Sequence, residues 1–332
     1  MHSSVIYLSV IIVVLALLFD FINGFHDSAN AIATSVSTRV LSMKWAVIMS
    51  ASFNFLGAFM NERVAKIIGD GIVNPNLISP TVIIVAILSA IIWDLFTWYF
   101  AIPSSSSHAL IGSLVGAAIV YQTSFSVVNW TTFFIRIVIP LFLSPILGFV
   151  FGYLFMIGLQ WMLRYTKPST VSGFFSKAQI CSAMLIAINH GGNDAQKSMG
   201  VIAMALVSGG LISNFHIPIW VKGACALAMA LGTFVGGYKI IKTMGMNMAK
   251  LSPVNGFAAE TTAAAVIFSS TMMNDPVSTT QIISSSIMGV AASHRISSVK
   301  WMIVKNVLWT WLVTIPVCIL ISSIFSLILK IL

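Results

Sequence analysis

The chain has 332 residues, 58% of them hydrophobic and only 8% charged, with a mean hydropathy of +0.99. Soluble domains carry roughly a quarter charged residues, so this composition excludes a water-soluble globule and gives an integral membrane protein. The net charge of +9 does not point to nucleic acid, because the 17 basic residues form no block and no polar domain presents them.

The apolar stretches are helix-length rather than short and alternating, which excludes an outer-membrane barrel and predicts an all-α fold. The first runs from Ser3 to Thr38 and is interrupted at Asn23-Gly24-Phe25-His26-Asp27-Ser28-Ala29-Asn30. Ser3 to Phe19 lacks a basic leader and continues into the interruption, so it reads as a retained span and not a cleaved signal. Trp45 to Met60 is a second span. Thr81 to Phe100 contains Asp94 and is followed by Pro103-Ser104-Ser105-Ser106-Ser107-His108 and a short apolar helix, Ala109 to Val120. That order predicts a re-entrant helical hairpin with a polar tip deep in the protein. Trp130 to Trp161 is a long span, and Arg164 to Lys177 reads as a loop.

The second half repeats this plan. Ala178 to Val207 is predicted to break at Asn189 to Asp194, and Trp220 to Gly236 spans. Gly256 to Met273 and Ile282 to Ala292 flank a tip, Asp275 to Gln281, and Trp301 to Leu329 is the last span. Asp27 and Asp194 are 167 residues apart, Gly57 and Gly232 are 175, Pro103 and Pro276 are 173, and Pro145 and Pro316 are 171. Four ordered matches at nearly one offset predict two copies of one unit: residues 1–162, a cytoplasmic linker over 163–177, and residues 178–332. Interrupted apolar segments at matching places in two halves point to a transporter's binding site. With the N-terminus outside, the inner loops hold Arg39 and Lys44; Arg164, Lys167 and Lys177; Lys239, Lys242 and Lys250; and Arg295, Lys300 and Lys305. These are 11 of the 17 basic residues. This obeys the positive-inside preference, requires the two halves to be inverted, and leaves both termini outside.

The chemistry concentrates at the interruptions and the tips. A broken helix exposes N–H groups that bind anions and carbonyls that bind cations. Each tip, Ser104 to Ser107 and Ser278 to Thr280, precedes a helix, so hydroxyls and N–H groups point together as a cradle for a tetrahedral oxyanion. Asp27 and Asp194 beside such an anion repel it by an amount on the order of several kcal/mol at intermediate dielectric. A shared proton or bound cations resolve the conflict, and hydrogen phosphate carries a proton to share where sulfate does not. Phosphate with H⁺, Na⁺ or a divalent metal is therefore the expected cargo. Glu260, in the second hairpin beside Thr261 and Thr262, is a further candidate. His26, His190 and Lys197 flank the site without a decided role, and Arg136 is expected to snorkel to the outer surface. Cys181, Cys225 and Cys318 lie in apolar segments without metal-ligand spacing and read as packing residues.

These residues resemble the inorganic phosphate transporter (PiT) family over nearly the whole chain. The likeness lies in Gly24-Phe25-His26-Asp27-Ser28-Ala29-Asn30-Ala31, in His190-Gly191-Gly192-Asn193-Asp194 and in the two Pro-led Ser/Thr tips. The form of the first motif is most similar to the bacterial low-affinity branch. The resemblance implies an inverted-repeat symporter of the cell membrane, with no resident cofactor, that works by alternating access and forms a homodimer. It implies phosphate contacts from Asp27, Asn30, Ser105, Ser106, Ser107, Asp194, Ser278, Thr279 and Thr280. The coupling cation, H⁺ or Na⁺, or Mg²⁺ carried with phosphate, falls to Asn23, Asn193 and the same aspartates, with Glu260 beside them. Lys197 stands where the first copy has Asn30, so the two copies are not chemically equivalent. Three alternatives carry other expectations: a sulfate permease of the same fold, a metal-ion carrier without need of the tips, and an intramembrane protease. A matched second copy has no purpose in the protease.

Overall fold

The computed structural model describes residues 2–235, 241 and 251–331, with side chains from Ile6 onward. The expected inner-loop residues Lys239, Lys242 and Lys250 lie outside the described residues. The described residues form helices and no strand, only an isolated bridge between Val73 and Val128. The helices are α1 (His2–His26), α2 (Ser28–Ser37), α3 (Met43–Gly57), α4 (Arg63–Lys66), α5 (Pro80–Tyr99), α6 (Ser106–Gln122) and α7 (Trp130–Phe133). They continue with α8 (Ile139–Leu163), α9 (Pro168–Ser208), α10 (Ile219–Val235), α11 (Pro253–Met272), α12 (Thr279–His294) and α13 (Trp301–Ile331). Five stretches of the described residues are long and apolar enough to cross a bilayer: Ile6–Ser37, Pro80–Tyr99, Trp130–Leu163, Pro168–Ser208 and Trp301–Ile331.

Local sequence sets the ends of these elements. Proline opens α5, α9 and α11, where its missing N–H costs nothing. Asp27 alone separates α1 from α2, and even there its N–H donates to Asn23 O at 2.8 Å and its carbonyl accepts from Asn30 N at 2.9 Å. The interruption is thus one residue wide and its backbone is paired.

The predicted second break is absent. α9 is one helix of 41 residues that passes through Asn189 to Asp194 unbroken. Its glycines serve close packing rather than a turn: a Cβ on Gly191 would overlap the carbonyl of Asn54, and one on Gly57 would overlap that of Ile188. At the other crossing a Cβ on Gly232 of α10 would overlap the carbonyl of Phe21 on α1. Small residues let membrane helices approach to backbone contact. The side-chain pairs His190–Asp194 and Asp194–Lys197, spaced i,i+4 and i,i+3, also support a continuous helix. The loop expected over 163–177 is also shortened, since helix begins at Pro168.

Two helical hairpins, α5–α6 and α11–α12, each pack against a long helix from the other half of the chain: α6 on α13, and α12 on α8. Their turns share details. Ala101 and Asn274 both hold positive φ, 55° and 66°, just past a helix end. Ser105 and Ser278 both cap the following helix, each accepting from the N–H three residues on at 3.3 Å. Further along, Trp130 Nε1 donates to Phe125 O at 2.8 Å and Trp301 Nε1 to Ile296 O at 2.9 Å. Both tips are buried, Ser104 to Ser107 and Ser278 to Thr280 alike.

Candidate functional site

Asp27 is the meeting point of four elements. Its Oδ2 accepts from Ser106 Oγ at 2.5 Å, at the start of α6. Its Oδ1 accepts from Thr280 Oγ1 at 3.0 Å, in the first turn of α12. His26 Nδ1 lies 2.7 Å from the same Oδ1. Asn30 Nδ2, one turn along α2, donates to Thr280 Oγ1 at 2.8 Å. One carboxylate therefore sits between the N-terminal ends of two helices, which favour negative charge.

Asp194 lies beside it, on the neighbouring tip residue. Thr279 Oγ1 donates to Asp194 Oδ2 at 3.1 Å, and Lys197 Nζ to Asp194 Oδ1 at 2.5 Å. His190 Nδ1 is 3.3 Å from Asp194 Oδ2 and 3.2 Å from Thr279 Oγ1, and its Nε2 is 3.0 Å from Ser28 Oγ. The Nδ1–H tautomer of neutral His190 satisfies all three contacts. Ser107 Oγ donates to Val277 O at 3.2 Å, tying one tip to the other. With its amide oriented to satisfy both ends, Asn193 accepts from Thr271 Oγ1 at 2.9 Å and donates to Asp194 Oδ1 and Val277 O, each at 3.2 Å. All these side chains are at most 4% exposed, so the site is closed from both sides.

The structure thus gathers Asp27, Asn30, Ser106, Asn193, Asp194, Thr279 and Thr280 into one network. Ser105 and Ser278 act in it as helix caps. Asn23 does not join: both atoms of its amide are buried and without a hydrogen-bond partner. Glu260 stands apart, in a cage of donors. Its Oε1 accepts from Thr34 Oγ1 at 2.5 Å, Ser35 Oγ at 2.6 Å and Gln179 Nε2 at 3.1 Å, and its Oε2 from Ser182 Oγ at 2.5 Å. Arg136 is not a free snorkelling residue: its Nη1 donates to Asp275 Oδ1 at 2.9 Å and to Met273 O at 2.8 Å, pinning the turn before α12.

Sequence reasoning left Lys197 undecided. It is fully buried and pairs with Asp194, so the two aspartates do not stand alone against an anion. The i,i+3 spacing was its signal. Thr34, Ser35, Gln179 and Ser182 were not singled out, because they come from two stretches of chain, α2 and α9, each far in sequence from Glu260.

Ser28, His190 and Asp194 have the order of a hydrolytic triad, on two different helices. Ser28 Oγ, however, already accepts from Asn54 Nδ2 at 2.9 Å and from Thr233 Oγ1 at 3.1 Å. Both of its lone pairs are used, so it presents no nucleophile.

The sequence pattern of the phosphate transporter family matches residues 23–322, which include Asp27, Asp194 and both tips. The chain belongs to that family. It is 49% identical over 313 residues to a probable low-affinity inorganic phosphate transporter of Bacillus subtilis, covering 93% of each chain. A protein of the same description from Rhizobium meliloti is 45% identical, over 94% of this chain and 93% of its own. A solved structure titled as the sodium-dependent phosphate transporter superposes with a TM-score of 0.85 at 21% identity, over 98% of this chain and all of that one, which shows a common fold. The family carries phosphate across membranes and is not a family of enzymes, which disposes of the protease reading.

Proposed function

We propose that the chain is a phosphate symporter of the cell membrane, with both termini outside, that binds one phosphate between the two hairpin tips. The observation that carries this reading is Asp27 held at once by Ser106 of one tip and Thr280 of the other. Hydroxyls and first-turn N–H groups of two helices converge there, a donor set suited to the oxygens of a tetrahedral anion. A protonated phosphate oxygen can donate to Asp27 or Asp194, whereas sulfate only accepts. Ser105 to Ser107 and Ser278 to Thr280 surround the anion, with Asn30 beside them.

Charge explains the coupling. Lys197 offsets one aspartate, and the phosphate brings at least one further negative charge. The loaded site is then too negative to move through a low-dielectric interior without cations. Asn23, Asn193, Glu260 and the aspartates are the oxygen donors for H⁺, Na⁺ or a metal–phosphate complex. Inverted two-copy architecture is supported by the paired packing of α6 on α13 and α12 on α8, by the Gly57 and Gly232 crossings, and by the matched caps. The copies meet at the site, so rocking one against the other exposes it to alternate sides.

Uptake of labelled phosphate into proteoliposomes, with Na⁺, pH and Mg²⁺ gradients imposed one at a time, tests this proposal. Accumulation driven by at least one gradient, with sulfate a poor competitor, is expected. Equal uptake of sulfate and phosphate, or uptake indifferent to every gradient, contradicts it.

A further inference from the structure

We propose that the cleft between α8, α12 and α13 holds one phospholipid of net negative charge, with an acyl chain in the cleft and the headgroup phosphate at Lys305. The cleft has a volume of about 420 Å³, the size of a ligand pocket. Ile146 and Val150 of α8 form one wall, and Leu308 and Leu312 of α13 the other. All four are exposed, so the cleft opens to the bilayer, while Gln281 and Met288 of α12 form a buried floor.

The cleft leads to a polar mouth. A second cavity, of about 790 Å³, shares Trp301, Val304, Leu308 and Leu312 with it and adds Lys305 and Asn306. Depth follows from helix geometry. Trp311 Nε1 donates to Pro103 O at 3.2 Å, which sets Trp311 at the level of the first tip. Trp301 stands one full stretch of helix earlier, roughly 15 Å along the axis. That is half the hydrocarbon thickness of a bilayer, about 30 Å. With the tips at the midplane, as the carrier reading requires, Trp301 lies at the bilayer surface, where aromatic rings gather. Lys305 is about 9 Å from the level of the tip, and its long stem lets the ammonium snorkel to the headgroups.

Charge chooses the occupant. No Asp or Glu occurs between Asp94 and Asp194 or after Asp275, so α8, α12 and α13 carry no acid. Arg295, Lys300 and Lys305 are exposed, and none of the ion pairs among the described residues uses them. Trp301 Nε1 donates to Ile296 O at 2.9 Å, which fastens the turn bearing Arg295 and Lys300 beside the mouth. Basic residues at the mouth of a cleft between spanning helices suit an anionic lipid, and in the orientation proposed above they face the cytoplasmic leaflet. A zwitterionic lipid leaves these cations without a net countercharge. A second copy of this chain, docked by two-fold symmetry, would bring the same cations against one another. A free phosphate ion would leave the apolar cleft empty.

The floor joins the lipid to the central network. Gln281 follows Thr280, whose Oγ1 donates to Asp27 Oδ1 at 3.0 Å. Both amide atoms of Gln281 are buried without a hydrogen-bond partner, so its side chain does not fasten that turn on the cleft side. An acyl chain in the cleft packs behind the first turn of α12 and braces it against the tip.

The depth and leaflet of the site rest on the carrier reading, but its test reads lipid binding and not transport. Full-length protein in detergent is titrated with dioleoyl phosphatidylglycerol or dioleoyl phosphatidylcholine, and bound lipid is counted by native mass spectrometry. One phosphatidylglycerol per chain is expected, held at least tenfold tighter than phosphatidylcholine, with a rise in Tm on binding. Lys305→Gln is expected to weaken phosphatidylglycerol at least fivefold. Ile146→Trp, which fills the cleft and alters no charge, is expected to abolish both the binding and the rise in Tm. Should Ile146→Trp lower the Tm of the lipid-free protein, Leu312→Trp fills the cleft from the opposite wall and decides. Equal binding of the two lipids overturns the site, as does phosphatidylglycerol binding unchanged in Lys305→Gln or in the cleft-filling variant. Displacement of the lipid by excess inorganic phosphate, or a dimer that shuts lipid out of the cleft, overturns it too. Wild-type protein that takes up no phosphate once reconstituted refutes the carrier reading, whichever way the lipid result falls.

Discussion

Single side chains at the centre of this protein do more than their sequence neighbours suggest. Asp27 accepts from two hairpins and a histidine, so each tip hydroxyl contributes to holding the proposed anion-binding frame. Ser106→Ala and Thr279→Ala are each expected to raise the half-saturating phosphate concentration about fivefold to tenfold, the size of one lost hydrogen bond of about 1–1.5 kcal/mol. Phosphate titration of uptake measures this, and an unchanged half-saturation would assign both hydroxyls to packing. The aspartates and the four-serine tip were legible because ionisable residues and runs of hydroxyls are rare in apolar sequence. Lys197 was visible only as an asymmetry between Asn30 and its counterpart, and its pairing with Asp194 follows from helix spacing once α9 is known to be continuous. The cage around Glu260 was not legible, because its donors come from α2 and α9, far away in the chain and ordinary in kind.

At the scale of elements, the clearest difference between expectation and structure is α9. Asn189-His190-Gly191-Gly192-Asn193-Asp194 has the composition of a helix break, yet it is helix throughout. Composition reports that the backbone is bare at Gly191, not what uses the bareness. Here another helix, α3, uses it, and only tertiary contact reveals that. In the proposed function, anion binding therefore falls to the first turns of α6 and α12 rather than to unpaired backbone in the spanning helices. The crossing gives a prediction. Gly57→Leu is expected to destabilise the protein by at least about 1–3 kcal/mol, because a side chain there would meet the backbone of α9. Gly158→Leu, where nothing lies within 4 Å of the added carbon, is expected to be near neutral. Thermal unfolding in detergent compares the two, and equal Tm values would remove close packing as the reason for the glycine.

The whole molecule is a frame in which the two halves of the chain exchange partners: the first hairpin leans on the last helix, and the second on α8. The proposed repeat was readable from four spacings, whereas the exchange of partners was not, since no spacing says which copy a hairpin packs against. The aspartates of both halves bond adjacent residues of one tip, Asp27 to Thr280 and Asp194 to Thr279, which supports the proposal of one shared binding site and not two. The direct test is the stoichiometry of phosphate binding to the purified protein by equilibrium dialysis with a saturating coupling cation, for wild type, Asp27→Asn and Asp194→Asn. One phosphate per chain in the wild type, and none in either variant at the same concentration, is the predicted result. Two phosphates per chain, or one aspartate variant that binds as wild type does, would contradict a single shared site.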